Sequence, residues 1–577
     1  MRLPRLLPGL LGLAALFAHE APAAQAPAAG APVLQLPPMI VEGKIPGQPW
    51  QYAAGPDLEV LTVCNSKTTR EFMRRNHRLG ELLRELVPAR FLFKSSVPDV
   101  HILFNEQTGS ARSSEVLAEM ARLHGAVVGA DGTVGPREVA VPSDLRMSAG
   151  LVKFENQPRR AYFLPNLRLA DLDGSAVFSI TQDTGENARF TFTADRVEFM
   201  LTRRTPALPD WFVEGMLGLF RQSEFSENEI SLRPLLWISK DESAALARDP
   251  QHCRELLPMP DLLTRLRSGT PMEPDAALDI WQSQCILFVR WAVGEDNPAR
   301  RQSLWTLVDR LEIEPPTETL FRECFGLGFE EARRELDSYL ATAVKKKRTM
   351  PAMRTRWEDD ALKIRRATDL EIARLRGDWE RLEIDYVRRY FPALTGKYLE
   401  QARTTLRRPH DRGARDPQLL ALLGLTELAA GDKAVAREFL EMAVRGGKVR
   451  PRAAFELAHL RYAALPAPGE LTAAQRAEVL APLYPVFKEA PPLLESYALL
   501  ATVWGRCNAP PSAEDLALLN EGVRLFPQAS AYVARVVIFN LVAGQTDTAR
   551  AQAESGRRQA RISAMRERFE QVLREMP

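Results

Sequence analysis

From about residue 350 to the C-terminus the chain keeps a helical spacing of apolar residues almost without interruption. No other feature limits its fold so strongly. In LLALLGLTELAAGDKAVAREFLEMAV (419–444), small residues at Gly424 and Ala436 let two successive helices approach, and Gly431 serves the turn between them. The stretch VVIFNLVAGQTDTARAQAESG (536–556) repeats the interval from Gly431 to Ala436 with Gly544 and Ala549. A further helix pair runs through 497–526 and is closed by Pro527. One helical hairpin buries too little apolar surface to stand alone, so these pairs are expected to stack into a continuous superhelix.

Leu423, Gly424, Gly431, Ala436, Leu440 and Ala443 fall at tetratricopeptide spacing, and the region 411–577 resembles a degenerate array of such repeats, with irregular intervals between units. Ahead of it, 577 residues are more than one core organises, so several domains are expected. The 76 basic and 74 acidic side chains leave a formal charge of +2, which gives no electrostatic reason to expect nucleic acid as a partner.

The N-terminus, MRLPRLLPGLLGLAALFAHEAPAAQAP, carries Arg2 and Arg5, an apolar run from Leu6 to Ala18, and a small-residue cleavage pattern at Ala21-Pro22-Ala23. That layout reads as a signal peptide over 1–23, followed by an Ala/Pro-rich linker over 24–50. The run is too short to span a bilayer and nothing later is long and apolar enough. The expectation is an exported protein of a bacterial envelope, periplasmic or extracellular, with no membrane span after signal cleavage. Five cysteines (Cys64, Cys253, Cys285, Cys324 and Cys507) lie far apart without a CxxC pair, so neither a disulfide scaffold nor a zinc ribbon is expected. Cys285, among Trp281, Phe288 and Val289, reads as a buried thiol.

Residues 51–140 read as a small α/β lobe: a strand in LEVLTVC (58–64), a helix from a Ser66 N-cap to Pro88, and a strand in VHILFN (100–105). The region 141–345 begins with strand-like REVAVP, RAYFLP and AVFSITQ, then turns helical from FTADRVEFMLTRR (192–204) onward. The segment 346–410 reads as a helical connector, and Lys345–Arg348 as cations at a helix end. The fold class expected is therefore an α+β N-terminal region followed by an all-α superhelix.

Within 141–345 the stretch LPDWFVEGMLGLF (208–220) stands out. With Pro209, Trp211, Glu214, Gly215 and Phe220, then Trp281 and Gln284, then CFGLGFEEARRELDSYL (324–340), residues 55–345 resemble the peptidase MA-like gluzincins. In that family a Trp-x-x-Glu-Gly helix carries one zinc ligand and the preceding helix supplies two histidines from an HExxH motif. The resemblance places that motif within Thr193–Met200, TADRVEFM, which offers Asp195, Arg196 and Glu198 and no imidazole. Among the seven histidines none falls between His124 and His252.

Asp195 and Glu198 are spaced i, i+3 and are able to share a face with Glu214, but an all-carboxylate set suits magnesium or calcium better than zinc, and Arg196 competes for the same oxygens. The simpler expectation is that Glu214 pairs with Arg196 or caps a neighbouring backbone. Val213, Met216, Leu217 and Phe220 form one apolar face of the Trp211 helix, and Gly215 and Gly218 permit close helix contact. No metal and no cofactor are expected. The leading functional expectation is a pseudoenzyme that binds another envelope or secreted protein through its repeats. The alternative is a hydrolase using Glu214 with Glu198, or a non-standard carboxylate or metal site around Glu214.

Overall fold

The computed structural model describes residues 50–105, 127–128, 134–135, 150–153, 161–164, 167–181, 194–225, 229–249, 255–267, 278–293, 297–351, 362–390, 392–466 and 469–576. The expected signal peptide and nearly all of the linker, the REVAVP segment, Cys253, and three histidines (His19, His124 and His252) lie outside them.

Strand β1 (Gln51–Ala54) runs antiparallel to β2 (Leu58–Thr62), helix α1 (Ser66–Leu86) crosses over, and β3 (Asp99–Asn105) lies parallel to β2. Strand β2 is buried along its whole length, as a parallel strand covered on both faces requires. The N-cap of α1 is Asn65 and not the expected Ser66: the Asn65 side chain accepts from the Thr68 N–H at 2.8 Å. Strands β4 (Val127–Val128), β5 (Val134–Gly135), β6 (Gly150–Lys153) and β7 (Ala161–Leu164) make a separate antiparallel sheet in the order β5-β4-β7-β6. Strands β8 (Leu167–Ala170) and β9 (Ser175–Thr181) return to the first sheet, β9 parallel to β3 and β8 on the edge.

A buried polar knot joins β3 to β8 and β9. Arg168 donates to Asp99 at 3.0 Å, Ser175 donates to the same carboxylate, and His101 Nε2 lies 3.2 Å from Asp99 Oδ2. A carboxylate only accepts, so His101 carries its proton on Nε2. Burial pushes His101 below its ordinary range, and the Arg168 and Arg196 charges add to that against the pull of Asp99. A histidine depressed in the folded state stabilises the fold above its unfolded value of about 6.5, and that contribution is lost as pH falls. Urea midpoints at pH 7.5 and 5.5 should therefore drop more for the wild type than for His101→Gln. Equal drops would mean that His101 does not set the acid sensitivity.

The second region begins with α2 (Ala194–Thr202) and α3 (Asp210–Arg221), followed by the hairpin β10 (Ser223–Phe225) and β11 (Glu229–Leu232). Then come α4 (Lys240–Arg248), α5 (Met259–Thr264), α6 (Ile280–Val293), α7 (Pro298–Arg310), α8 (Glu318–Phe325), α9 (Phe329–Ala343) and β12 (Arg348–Pro351). Helix α3 is buried from Trp211 through Phe220 on every side, not only on the face of Val213, Met216, Leu217 and Phe220. It sits against α6, itself buried nearly all round, at the centre of the largest apolar core. The run Lys345–Arg348 leads into β12, which pairs with β11, and Lys347 meets Glu224 at 3.1 Å.

Strand β13 (Arg365–Arg366) pairs with β1, so the first sheet reads β13-β1-β2-β3-β9-β8. Helix α10 (Asp369–Tyr390) lays Leu375, Trp379, Leu382 and Tyr386 against Leu61, Ile102 and Phe178 of that sheet. Helix α1 covers the opposite face through Met73, packed with Val60 and Leu103. The segment 346–410, expected as a connector, thus supplies a strand to each of two sheets and one outer layer of an α/β/α sandwich.

After α11 (Thr395–Asp411) every described element is a helix: α12 (Pro417–Ala430), α13 (Lys433–Gly446), α14 (Pro451–Ala463), α15 (Ala473–Leu480), α16 (Leu483–Val486), α17 (Leu494–Trp504), α18 (Ala513–Leu525), α19 (Ser530–Val542), α20 (Thr546–Gln559) and α21 (Ser563–Glu575). Gly431 ends α12 at φ +88°, and Gly544 takes the same left-handed conformation after α19 at φ +75°. A Cβ at Gly424 would lie 2.6 Å from Leu440 Cγ, so α12 and α13 meet there at glycine distance. Ala436 and Ala549 are fully buried in the two later helices of these pairs. Asn540, on α19, donates to Asn520 at 2.7 Å and Gln552 at 2.9 Å, so its buried amide is satisfied by its neighbours. Among the described residues no helix is long and apolar enough to cross a membrane.

Candidate functional site

The Trp211 helix puts Glu214 at the heart of the second region, where only 1% of its surface is exposed. Trp211 anchors it, with its ring 5.2 Å from that of Phe288 on α6. One turn on, a Cβ at Gly215 would lie 2.5 Å from the Cys285 carbonyl oxygen and 2.4 Å from Val289 Cγ2, so α3 and α6 touch backbone to backbone beside the glutamate. Cys285 is wholly buried beneath it; burial, and next the Glu214 charge, push that thiol well above its usual range. Cys285 is thus an inert packing group.

The partner of the Glu214 carboxylate is Arg267, and the expected pairing with Arg196 does not form. Arg267 Nε donates to Glu214 Oε2 at 2.8 Å, and its Nη2 donates to Glu198 Oε1 at 2.7 Å. The Arg267 backbone N–H donates to Asp210 at 3.0 Å, so backbone and side chain together tie this residue to α2 and α3. Gln282 Nε2 reaches Glu214 Oε1 at 3.4 Å. Arg196 points elsewhere and donates to Asn76 on α1 at 2.8 Å. Burial alone would weaken the Arg267 cation, but Glu198 and then Glu214 raise it further above its ordinary value. Two carboxylates from α2 and α3 therefore converge, and a guanidinium lies between them. Asp195 belongs to α2, but its side chain is outside the described residues.

The two described histidines of the first region are not gathered here. His77 lies 2.9 Å from Glu81 on its own helix, and His101 belongs to the polar knot of the first sheet. Among the described residues no group of three or more His, Cys, Asp or Glu side chains is placed to hold a metal ion. Among the described residues the donors around Glu214 are carboxylates engaged by Arg267, which does not fit the three-ligand zinc site of a gluzincin.

A second charged centre lies where the first sheet, α10 and the helical array meet. Arg450, just before α14 and 3% exposed, donates to Asp173 at 2.5 Å, to Asp171 at 3.1 Å and to Asp378 at 3.1 Å. Arg381 on α10 donates to Asp171 and Asp378, each at 2.6 Å, and Arg452 donates to Asp171 at 3.1 Å. Beside this knot is a cavity of about 120 Å³ whose lining includes Glu59, Arg374, Asp378 and Arg450. Within its wall Arg374 donates to Glu59 at 2.5 Å, while Lys448, also in the lining, pairs with Glu489 outside it at 2.8 Å. The centre is a weld between regions.

Local sequence gives no hint of either arginine. Arg267 lies in LTRLRSG and Arg450 in KVRPRAAF, ordinary basic runs whose partners are 53 to 279 residues away in the chain. Compared with protein-family models, with curated proteins and with solved structures, the chain matches none.

Proposed function

We propose that this chain is an exported, catalytically inert relative of the gluzincins, and that its tetratricopeptide-like helical array binds an extended segment or helix of another envelope or secreted protein. The observation that carries the first half is the Arg267 guanidinium seated on Glu214 and Glu198. A carboxylate that serves as metal ligand or general base needs a free oxygen facing substrate, and here both carboxylates face an internal cation. Stacked helix pairs support the second half, because such arrays leave a long surface for one partner.

The test takes the purified mature protein. Elemental analysis should find no stoichiometric zinc, and a peptide library should remain uncut with or without chelator. One equivalent of zinc together with chelator-sensitive cleavage would overturn the proposal. Glu214→Gln then separates the binding protein from the hydrolase. Capture of the partner by the full chain should be unchanged, within about twofold, because only a neutral isostere replaces a group on α3, outside the array. A hydrolytic activity that disappears in this variant, with the circular dichroism spectrum intact, would favour the enzyme.

A further inference from the structure

We propose that the turn between α20 and α21, carrying Arg558, Arg561, Ile562 and Arg566, docks on an anionic lipid surface. Residues 557–568 hold five arginines and one carboxylate, Glu567, although the whole chain balances to +2. Arg557, Arg558, Arg561 and Arg566 are exposed, and among the described residues none of them takes a carboxylate partner. Surface arginines elsewhere in the array are neutralised: Arg524 meets Glu521 at 2.6 Å, Arg437 meets Glu441 at 2.9 Å and Arg407 meets Glu427 at 2.6 Å. At the turn, Arg561 donates to the Gln528 amide oxygen at 3.0 Å and Arg566 to the Ala560 carbonyl at 3.2 Å. Both acceptors are neutral, so they position the guanidinium without cancelling its charge.

Local stability does not account for all of these cations. Arg557 and Arg558 close α20, where the helix dipole favours positive charge. Arg561 and Arg566 flank the start of α21, where the dipole favours acids, yet no acidic residue lies in its first turn. Between them Ile562 has 65% of its surface exposed, and the four residues from Arg561 to Ala564 are all exposed. The turn rests on a close helix contact, since a Cβ at Gly556 would lie 2.5 Å from Cζ of the fully buried Phe569. A projection with one apolar side chain flanked by cations matches a surface that offers phosphates above and hydrocarbon beneath. An acidic peptide is instead gripped in a groove or along a sheet edge, and four exposed residues in a row form neither. So few contacts make the attachment peripheral, reversible and dependent on salt.

The test is cosedimentation of the purified mature protein with vesicles of phosphatidylcholine alone and with vesicles containing about one third phosphatidylglycerol. The anionic vesicles should bind it and the neutral ones hardly at all, and binding should fall as salt rises from about 0.05 to about 0.5 M. Each arginine near an anionic surface is worth about fivefold in partitioning, so Arg561→Gln combined with Arg566→Gln should weaken binding about 25-fold. Ile562→Ser should weaken it about fivefold without changing the salt sensitivity, because it removes apolar contact and no charge. All three altered side chains are exposed, so both variants should unfold within about 2 °C of wild type. No binding to the anionic vesicles, equal binding to both kinds, or undiminished binding by either variant would overturn the proposal. Soluble polyglutamate that bound as tightly as the anionic vesicles, and equally well to Ile562→Ser, would also overturn it and assign the turn to an acidic protein.

Discussion

Replacing Arg450 by alanine is expected to destabilise the junction between the first sheet and the helical array by about 3–5 kcal/mol, the cost of leaving buried charges without their partner. Three carboxylates, Asp171, Asp173 and Asp378, take hydrogen bonds from this one guanidinium, and it is almost completely out of water. Arg381 and Arg452 remain in the variant and partly satisfy Asp171 and Asp378, but Asp173 keeps only the Arg452 backbone N–H at 2.7 Å. The sign of the pH dependence is a sharper check than the size. Burial alone would raise the Asp171 carboxyl, yet Arg450, then Arg381 and Arg452, hold it well below its usual range. In the wild type this contribution is present above about pH 3.9 and lost as pH falls below it. In Arg450→Ala the unmatched carboxylates gain from taking up protons, so the gap between variant and wild type should narrow between pH 7 and 4. Denaturant titrations at those two pH values measure it. A gap that widened on acidification would mean that the knot is not what joins the two regions.

The second large effect is expected at Gly215. Alanine is the better helix former by about 1 kcal/mol, so on propensity alone Gly215→Ala would stabilise α3. The new Cβ, however, would lie 2.5 Å from the Cys285 carbonyl oxygen, a backbone atom in the middle of α6 that no rotamer change removes. The helices must separate or slide, and both are buried on nearly every side in the same core. Overpacking of this kind costs about 1–3 kcal/mol, and more where backbone must move, so a net loss of about 2–3 kcal/mol is expected. Denaturant midpoints of Gly215→Ala and of Gly396→Ala make the comparison. A Cβ at Gly396, near the start of α11, meets nothing within 4 Å, so that change should be neutral or mildly stabilising. Equal effects at the two positions would dismiss the close contact of α3 and α6.

Period and punctuation in the chain were enough to place many of its elements. The 3.6-residue spacing and the Gly431 and Gly544 turns foretold helices that the structure contains, and Pro206 and Pro209 lie between α2 and α3. These signals are local, since backbone conformation and one-sided burial act within a few turns. The α10 helix shows the limit. Leu375, Trp379, Leu382 and Tyr386 carry a helical period, but a period says that a face is covered and not what covers it. The cover proved to be a sheet whose packed residues Leu61, Ile102 and Phe178 lie far back along the chain.

For the candidate site the same division holds more sharply. Read alone, the chain places Glu214 with Trp211 and Gly215 on a helix and shows that the segment before it offers carboxylates and no imidazole. Which cation those carboxylates receive follows from the folded arrangement. Arg196, two residues before Glu198, was the nearest candidate, yet it turns to Asn76, and Arg267 arrives from beyond α5. Charge pairing depends on distance in space and on burial. Adjacency along the chain fixes neither, because a long flexible side chain goes wherever folded neighbours leave its charge least exposed to loss of solvent.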